Sequence, residues 1–235
     1  MGRSQWIRPL DAVSALRRIW QDPENTGPVL ELYDALDGPF EEGWFRRFRA
    51  SRVGQRVVDE ERDLLSVLVD RTWLAKMPDG SLGRVYLDFV EREDLSAEAL
   101  VEASGATEDL GDEPWADEGR ARFFARRRDQ HDLEHVVAGY DCDLRGETAL
   151  LAFCLGQVTS LATGVLIALG LIGLDAEGRR FVWASYQRGR RAAWLPATDW
   201  ENLLALPLDD VRLLLGLGES PMHGRVRGDH PSVAA

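Results

Sequence analysis

The feature that most constrains this fold is a run without charged residues at positions 148–174, TALLAFCLGQVTSLATGVLIALGLIGL. A helix of about 20 apolar residues can cross a bilayer, so a membrane span is one interpretation of the run. Polar side chains interrupt its middle, at Gln157, Ser160 and Thr163, and glycines recur along it. These interruptions favour a helix at 147–172 that is apolar on all sides because the other helices of a bundle surround it. In a third interpretation the run lines a cavity for an apolar ligand, in which Gln157 offers a polar contact.

Apolar residues elsewhere repeat with a period close to that of an α-helix. Leu82, Tyr86 and Phe89 follow one helix face, and no segment alternates strictly between apolar and polar residues. The fold class is therefore predicted to be all-α: a single-domain helical bundle with a long apolar central helix over residues 1–218, followed by a disordered tail at 219–235. Further helices are predicted at residues 29–37, 96–104, 120–138, 176–193, 199–205 and 208–215, with one more marked by Leu64, Leu65, Leu68 and Trp73.

Short signals mark the ends of some of these helices. Ser81, after the turn MPDG, is a predicted N-cap, and Gly139 is a predicted C-cap. Near the N-terminus, apolar residues at helical spacing predict an amphipathic helix that docks on the bundle through this face. These residues are Leu10, Val13, Leu16, Ile19 and Trp20.

Charge and cysteine content exclude several classes of protein. The chain has 40 acidic residues against 28 lysines and arginines, and its net charge of -12 disfavours nucleic acid as a partner. Only two cysteines occur, Cys142 and Cys154, which indicates a reducing compartment, and no secretory signal is recognisable, so we expect a cytoplasmic protein. One arginine cluster, at residues 179–191, is typical of a solvated helix face but could also contact anionic lipid headgroups.

The segment HDLEHVVAGYDCDLRGE at residues 131–147 predicts a metal site. On a helix, His131 and His135 point in the same direction and Asp132 approaches from the flank, while Glu147 begins the uncharged helix. Buried histidines and carboxylates need a compensating partner, and this mixed nitrogen and oxygen set suits zinc or another first-row divalent ion. Two core histidines beside a polar turn remain the alternative interpretation.

Other metal motifs fit this segment less well. The HExxH protease motif requires a glutamate where Asp132 stands, and an HD-type phosphohydrolase requires a further histidine upstream, whereas none precedes His131. An EF-hand loop would need an oxygen ligand where Arg145 stands. Tyr140 and Asp143 are candidates to support the metal ligands. An unrelated metallohydrolase stays open as a further possibility.

The site residues resemble the coenzyme Q (ubiquinone) biosynthesis protein 4 family. Its motif, HDxxH followed by eleven residues and a glutamate, is matched by His131, Asp132, His135 and Glu147. Further stretches are similar to the family in the same order, namely PDGSLGRVYLDF at 78–89, GYDCDLRGE at 139–147, Gln157, and WENLLALPLDDVRLLLG at 200–216. The resemblance covers roughly residues 25–217.

The resemblance implies a divalent metal, usually zinc, bound by these four residues, and a hydrophobic channel for a polyprenyl tail. It also implies removal of the carboxyl group at ring carbon one of a polyprenylated hydroxybenzoate precursor of ubiquinone, oxidatively, with a hydroxyl replacing it. The candidate catalytic residues are Glu147, Asp132 and Arg84, of which Arg84 could pair with a carboxylate or lie on the surface. The candidate lipid-binding residues are Gln157, Gly156, Ser160 and Gly164.

The same resemblance implies partners beyond the polyprenylated aromatic precursor. These are other ubiquinone-biosynthesis proteins and an anionic membrane surface. We therefore expect a cytoplasmic protein that is peripherally associated with the inner membrane. The alternative is a non-catalytic scaffold that binds prenyl lipid and organises other enzymes. Glu134 departs from the family pattern, in which an apolar or aromatic residue is expected.

Overall fold

The computed structural model describes residues 6–22, 27–93 and 118–218, and within these ranges the chain forms helices and no strand. In chain order the α-helices are α1 (Pro9–Gln21), α2 (Gly27–Leu36), α3 (Gly38–Arg49), α4 (Arg52–Asp59), α5 (Leu64–Leu68), α6 (Arg71–Leu74), α7 (Leu82–Arg92), α8 (Glu118–Asp129), α9 (His131–Ala138), α10 (Leu144–Leu155), α11 (Leu161–Gly170), α12 (Ala176–Arg191), α13 (Trp200–Leu203) and α14 (Leu208–Leu214), with a 3-10 turn at Leu195–Ala197. The all-α prediction is confirmed. The predicted helix at 96–104 and the predicted tail at 219–235 lie outside the described residues.

Side-chain caps fix where several of these helices begin. The Ser81 hydroxyl accepts a hydrogen bond from the Arg84 amide at 3.3 Å, which confirms the predicted N-cap of α7. Gly139 ends α9 in the left-handed conformation, at φ 73°, and its amide donates to the His135 carbonyl at 2.7 Å. Glycine tolerates this backbone conformation without steric cost, so the predicted C-cap is confirmed as well.

The largest hydrophobic core lies where α7, α9 and α10 meet α13 and α14. Tyr86 of α7, Leu133 of α9 and Phe153 of α10 are almost completely buried there. Trp200 closes one side of this core and its indole nitrogen donates to the Gln130 side-chain oxygen at 3.1 Å. Burial of such large apolar side chains stabilises the fold by roughly 1.5–3 kcal/mol each.

The uncharged run does not form the single helix predicted at 147–172. It divides into α10 and α11, because polar groups are positioned to start a new helix at Ser160. The Ser160 hydroxyl accepts from the Thr163 amide at 2.9 Å, and the buried Asp37 carboxylate accepts from the Leu161 amide at 2.8 Å. No helix in the described part of the chain is long and apolar enough to cross a membrane.

A second predicted helix is also divided. The segment predicted as a helix at 120–138 forms α8 and α9, with Gln130 between them. The Gln130 amide group makes tertiary hydrogen bonds, since it donates to Glu134 at 2.6 Å and accepts from Trp200. The side chain at the break is therefore held by the core rather than exposed to solvent.

The N-terminal helix α1 docks on α2 and α11, but through a narrower face than predicted. Ala12 and Ala15 are buried, and Leu16 and Ile19 pack beside them, as expected for part of the predicted face. Three residues predicted to dock, Leu10, Val13 and Trp20, are instead 84%, 63% and 71% exposed. Arg8, just before α1, pairs with Asp34, and Arg18 pairs with Glu31, which is consistent with this rotation of α1 and with an apolar stripe on its outer side.

Close contact between α10 and α12 depends on glycine. A Cβ atom on Gly189 would lie 2.0 Å from the Phe153 carbonyl oxygen, and one on Gly156 would lie 2.6 Å from the Tyr186 carbonyl oxygen. Real Cβ atoms do not approach backbone oxygens this closely. The two helices would therefore have to separate if either glycine were replaced.

We expect Gly189→Ala to lower the free energy of unfolding by about 1–3 kcal/mol, because the added methyl group overpacks the contact between α10 and α12. Gly43→Ala is the matched control, since Gly43 is helical and has no neighbouring atom within 4 Å of its Cβ position. The control should stabilise the protein by up to about 1 kcal/mol. Chemical denaturation of both variants measures this, and equal stability of the two would contradict the packing argument.

Candidate metal centre

Three predicted metal ligands converge between α9 and α10. A ring nitrogen of His131, a ring nitrogen of His135 and a carboxylate oxygen of Glu147 all lie within 4.8 Å of one another. The two imidazole ring centres are 4.8 Å apart, as expected for residues one helical turn from each other. Glu147 reaches them from the first turn of α10, where the helix dipole favours a carboxylate.

The orientation of His135 follows from a backbone contact. After the left-handed turn at Gly139, the Tyr140 carbonyl oxygen lies 3.0 Å from His135 Nδ1. A carbonyl oxygen can only accept, so Nδ1 must carry the proton and donate it. In the neutral ring Nε2 then has a free lone pair, which is the form that binds a metal ion.

That lone pair points at a second acceptor. His135 Nε2 lies 3.2 Å from Glu147 Oε1, is fully buried and has no hydrogen-bond partner in the part of the chain that the structure describes. A nitrogen lone pair and a carboxylate oxygen repel each other unless a proton or a cation lies between them. Ligand atoms of a tetrahedral zinc site with bonds near 2.0–2.1 Å are separated by about 3.3 Å, so the spacing fits a divalent metal.

Charge around the site also favours a cation. Burial raises the pKa of Glu147, whereas a proton shared in the contact with His135 and the charge of nearby His131 lower it by more, so the pKa of this carboxyl is below its ordinary value. Burial lowers the pKa of His131, whereas Asp132 and then Glu147 raise it to about 9. Carboxylates that hold a proton on an imidazole at neutral pH will equally attract a divalent ion.

Asp132 stands beside the three-residue cluster rather than within it. Its Oδ1 atom is 3.3 Å from Nδ1 of His131, a ring that is about half exposed. A carboxylate in contact with a metal-binding histidine fixes the ring and increases its basicity. Direct coordination of a metal ion by Asp132 stays a prediction. The contact that the structure shows is the one between its carboxylate and the His131 ring.

The two residues predicted to support the ligands make contacts near them, and their role as support stays a prediction. Tyr140 contacts His135 through its backbone carbonyl, while its buried hydroxyl has no hydrogen-bond partner among the described residues. Asp143 caps α10 by accepting from the Gly146 amide at 2.7 Å, which fixes the helix turn that carries Glu147. Gly146 is required there, because a Cβ atom would lie 1.9 Å from the Asp141 carbonyl oxygen.

Arg84 does not reach the metal ligands. It lies in the first turn of α7, where its guanidinium donates to the Ala75 carbonyl at 2.7 Å and lies 3.7 Å from Asp88. These contacts direct the side chain toward the loop before α7. A catalytic role for Arg84 stays a prediction. None of its contacts with the described residues supports that role.

The predicted lipid-binding residues lie around the break between α10 and α11. Gln157 is fully engaged with backbone, since it donates to the Ala193 carbonyl at 2.7 Å and accepts from the Leu195 amide at 3.0 Å. Gly156 permits the close approach of α12, and Ser160 caps α11. Only Gly164 borders open space, with no atom within 4 Å of its Cβ position. Contact with a prenyl tail stays a prediction for all four.

Two further residues contact the candidate site although the sequence did not predict them as site residues. Phe89 of α7 stacks on His135 with ring centres 5.8 Å apart. In the sequence, Phe89 was visible only as one residue of the apolar face of α7. Glu134 is buried between Gln130, at 2.6 Å, and the Cys154 thiol, at 3.4 Å. The departure at Glu134 therefore places a polar cluster directly behind the metal ligands.

The chain is similar in sequence to proteins of ubiquinone biosynthesis. The family model described as "Coenzyme Q (ubiquinone) biosynthesis protein Coq4" matches residues 9–221. The mitochondrial ubiquinone biosynthesis protein coq4 of Talaromyces stipitatus is 29% identical over 73% of this chain and 58% of its own length. The corresponding protein of Eremothecium gossypii is 27% identical over 90% of this chain and 64% of its own length. The chain thus spans less than two thirds of these two relatives.

One solved structure shares the fold. A crystal structure of a protein from Nostoc punctiforme that is named for ubiquinone biosynthesis aligns with a TM-score of 0.63. The alignment covers 91% of this chain and 100% of the other, at 22% sequence identity. At this identity the likeness establishes the helical fold alone.

We expect the purified protein to bind one divalent ion, and Glu147→Gln to weaken zinc affinity by at least about tenfold, because an amide is a poorer ligand than a carboxylate. Glu177→Gln is the matched control, since Glu177 is exposed and contacts only Arg145 among the described residues. Competition with a chromogenic chelator measures both affinities. Unchanged zinc affinity in Glu147→Gln would remove Glu147 from the ligand set.

Proposed function

The chain belongs to the Coq4 family of coenzyme Q (ubiquinone) biosynthesis proteins, and on this premise we propose that it is a metal-dependent enzyme of ubiquinone biosynthesis. The proposed reaction is oxidative decarboxylation at ring carbon one of a polyprenylated hydroxybenzoate, with the carboxyl group replaced by a hydroxyl group. The observation that carries the metal-dependent part of this proposal is the buried Nε2 of His135, which has no hydrogen-bond partner among the described residues and faces Glu147 at 3.2 Å. The cofactor is a divalent metal, which we propose to be zinc.

The chain's own residues would prepare this site for an anionic aromatic substrate. The Tyr140 carbonyl holds the His135 tautomer, and Asp132 holds the His131 ring. Phe89 shields the inner face of His135 from water. A bound metal would act as a Lewis acid, polarising an oxygen of the substrate and stabilising the negative charge that develops when carbon dioxide leaves.

Replacing a carboxyl group by a hydroxyl group is a two-electron oxidation in which carbon dioxide leaves and one oxygen atom is added. Both the oxidant and that oxygen atom have to be supplied from outside the described residues. His135, which stacks on Phe89 and is 1% exposed, would form the side of the site that is protected from solvent. The partly exposed His131 leaves the opposite side open for entry of the substrate.

We further propose that the prenyl tail lies along α11. This helix carries no charged residue, and the side of it at Gly164 has open space. Leu161 and Ile172, at its two ends, are both exposed. An apolar chain laid on this surface would remove apolar area from water at about 25 cal/mol per Å².

The enzymatic role makes a sharp prediction for Glu147→Gln. We expect this variant to lose at least about 100-fold in conversion of a prenylated 4-hydroxybenzoate to its decarboxylated product, because the ligand set is incomplete. Glu177→Gln should retain full conversion. Product is measured by mass spectrometry in cells that depend on the protein, and binding of prenyl lipid is measured on the same variants.

The alternative, a non-catalytic scaffold that binds prenyl lipid and organises other ubiquinone-biosynthesis proteins, predicts a different outcome. A folded Glu147→Gln variant that binds lipid and still supports ring decarboxylation would remove the enzymatic role from this site. Loss of conversion with retained lipid binding would exclude the scaffold role as the sole function.

We also propose that the protein associates peripherally with an anionic membrane surface, the inner membrane in a bacterial cell. The support comes from the exposed stripe of α1, in which Leu10, Val13, Arg17 and Trp20 are spaced three or four residues apart and share one helix face. Tryptophan and arginine beside aliphatic residues are typical of helices that lie in a membrane interface. The arginine cluster of α12 is less suited, because Arg188 is bound by the Ala138 and Leu217 carbonyls.

We expect the double variant Leu10→Ser and Trp20→Ser to lower binding to phosphatidylglycerol-containing vesicles by at least about tenfold, because apolar contact with the bilayer is lost. Trp183→Ser is the matched control, since Trp183 is similarly exposed, at 64%, but lies on α12. Vesicle co-sedimentation measures both. Equal binding by the double variant and the wild-type protein would contradict membrane contact through α1.

A further inference from the structure

The last carbonyl groups of α9 are bound by two arginines from other helices. Arg212 of α14 donates from Nε to the Val137 carbonyl at 3.1 Å and from Nη2 to the Val136 carbonyl at 3.0 Å. Arg188 of α12 donates from Nη1 to the Ala138 carbonyl at 2.5 Å. Carbonyl groups at a helix C-terminus have no partner within the helix and carry partial negative charge, so a guanidinium group suits them. The helix that carries both candidate histidine ligands is thus held at its end by two cations.

Arg188 lies against the turn that follows α9. Its Nη1 atom binds the Ala138 carbonyl, and its Cζ atom lies 5.6 Å from the centre of the Tyr140 ring, within the range of a cation–π contact. Ala138 and Tyr140 are the two neighbours of the left-handed Gly139, and the Tyr140 carbonyl is the acceptor for His135 Nδ1. The peptide that Arg188 binds therefore leads directly into the turn that orients the His135 ring.

The backbone that carries Arg188 is fixed against the helix of the third candidate ligand. At Gly189, the next residue, α12 approaches α10 so closely that a Cβ atom would lie 2.0 Å from the Phe153 carbonyl oxygen. Helix α10 carries Glu147 in its first turn. Helix α12 thus packs on the helix of Glu147 and, through Arg188, holds the end of the helix of His135.

The same guanidinium also binds the segment after α14. Arg188 Nε donates to the Leu217 carbonyl at 2.9 Å while Nη1 donates to Ala138. A planar guanidinium holds two acceptors in fixed directions, which the ammonium group of a lysine does not. The Ala138 carbonyl is therefore tied to α12 and to the segment after α14 at once.

We propose that Arg188 is a positioning residue for the candidate metal centre. By holding the Ala138 carbonyl it keeps the Tyr140 carbonyl directed at His135 Nδ1, so that Nε2 presents its lone pair toward Glu147. If this turn is released, the ring can carry its proton on Nε2 and donate it to Glu147, and that tautomer has no Nε2 lone pair for a metal ion. The inference rests on the metal dependence in the proposed function, but not on the reaction.

The test replaces Arg188 by methionine, which keeps a long unbranched side chain and removes every donor. We expect Arg188→Met to bind zinc at least about fivefold more weakly, a smaller loss than is typical for a direct partner of a metal ligand. In the zinc-free protein, part of the His135 population should carry its proton on Nε2. Competition with a chromogenic chelator measures the affinity, and imidazole nitrogen chemical shifts measured by NMR at the same pH report the tautomer. Arg188→Lys should give an intermediate result, because it keeps the charge without the planar geometry.

Arg179→Met is the matched control. Arg179 also lies on α12, and its Nε donates to the Leu171 carbonyl at 3.1 Å, at the end of α11 instead of α9. The control loses the same kind of contact and should keep the zinc affinity and the His135 tautomer of the wild-type protein.

A purely structural role of Arg188 predicts a different result. It would lower the urea midpoint of unfolding but leave the zinc affinity and the His135 tautomer of the folded Arg188→Met protein unchanged, and that outcome would overturn the inference. If Arg188→Met does not fold, Arg188→Lys decides, because wild-type zinc affinity and tautomer in that variant would show that the geometry of the guanidinium is not needed.

Failure of this inference is distinguishable from failure of the proposed function. Zinc affinity that depends on Arg188, without decarboxylation in any assay, would overturn the proposed reaction and leave the positioning role standing. Decarboxylation that depends on Glu147, with zinc affinity and tautomer unchanged in Arg188→Met, would do the reverse.

Discussion

The structure of the site depends on one hydrogen bond, from His135 Nδ1 to the carbonyl oxygen of Tyr140. It fixes the tautomer of a buried imidazole and thereby leaves a lone pair on Nε2, directed at Glu147. The hydrogen bond exists because α9 ends in a left-handed glycine, which turns the chain back under its own last turn. The residue that caps α9 thus also sets the orientation of the candidate metal ligand His135.

The surrounding helices position Glu147 and cover the other face of the His135 ring. Glu147 belongs to α10, whose start is fixed by Asp143 and whose far end is packed tightly against α12 through Gly189. Phe89 brings α7 against the other face of His135. The ligands come from two helices, so their mutual distance is set by the packing of the core and not by either helix alone.

The sequence predicted those features of the structure that depend on residues close together in the chain. The helical class, the Ser81 cap, the Gly139 cap and the convergence of His131 and His135 all depend on residues a few positions apart. The break in the uncharged run could not be predicted in the same way, because the carboxylate of Asp37 that helps to start α11 comes from more than 120 residues away. The inward face of α1 was predicted incorrectly for a similar reason, because the residues that cover Ala12 and Ala15 come from α2 and α11 and are distant in the sequence.

The hydrogen bond to His135 has an evolutionary consequence, because its acceptor is a peptide carbonyl. Every amino acid that can occupy position 140 supplies the same oxygen, so the tautomer of the metal-binding ring is insensitive to side-chain drift there. The vulnerable position is the neighbouring Gly139, whose φ of 73° other residues rarely adopt. Selection for the orientation of this ring should therefore be visible as an invariant glycine at position 139, whereas selection at position 140 should act on the packing of its side chain in the core.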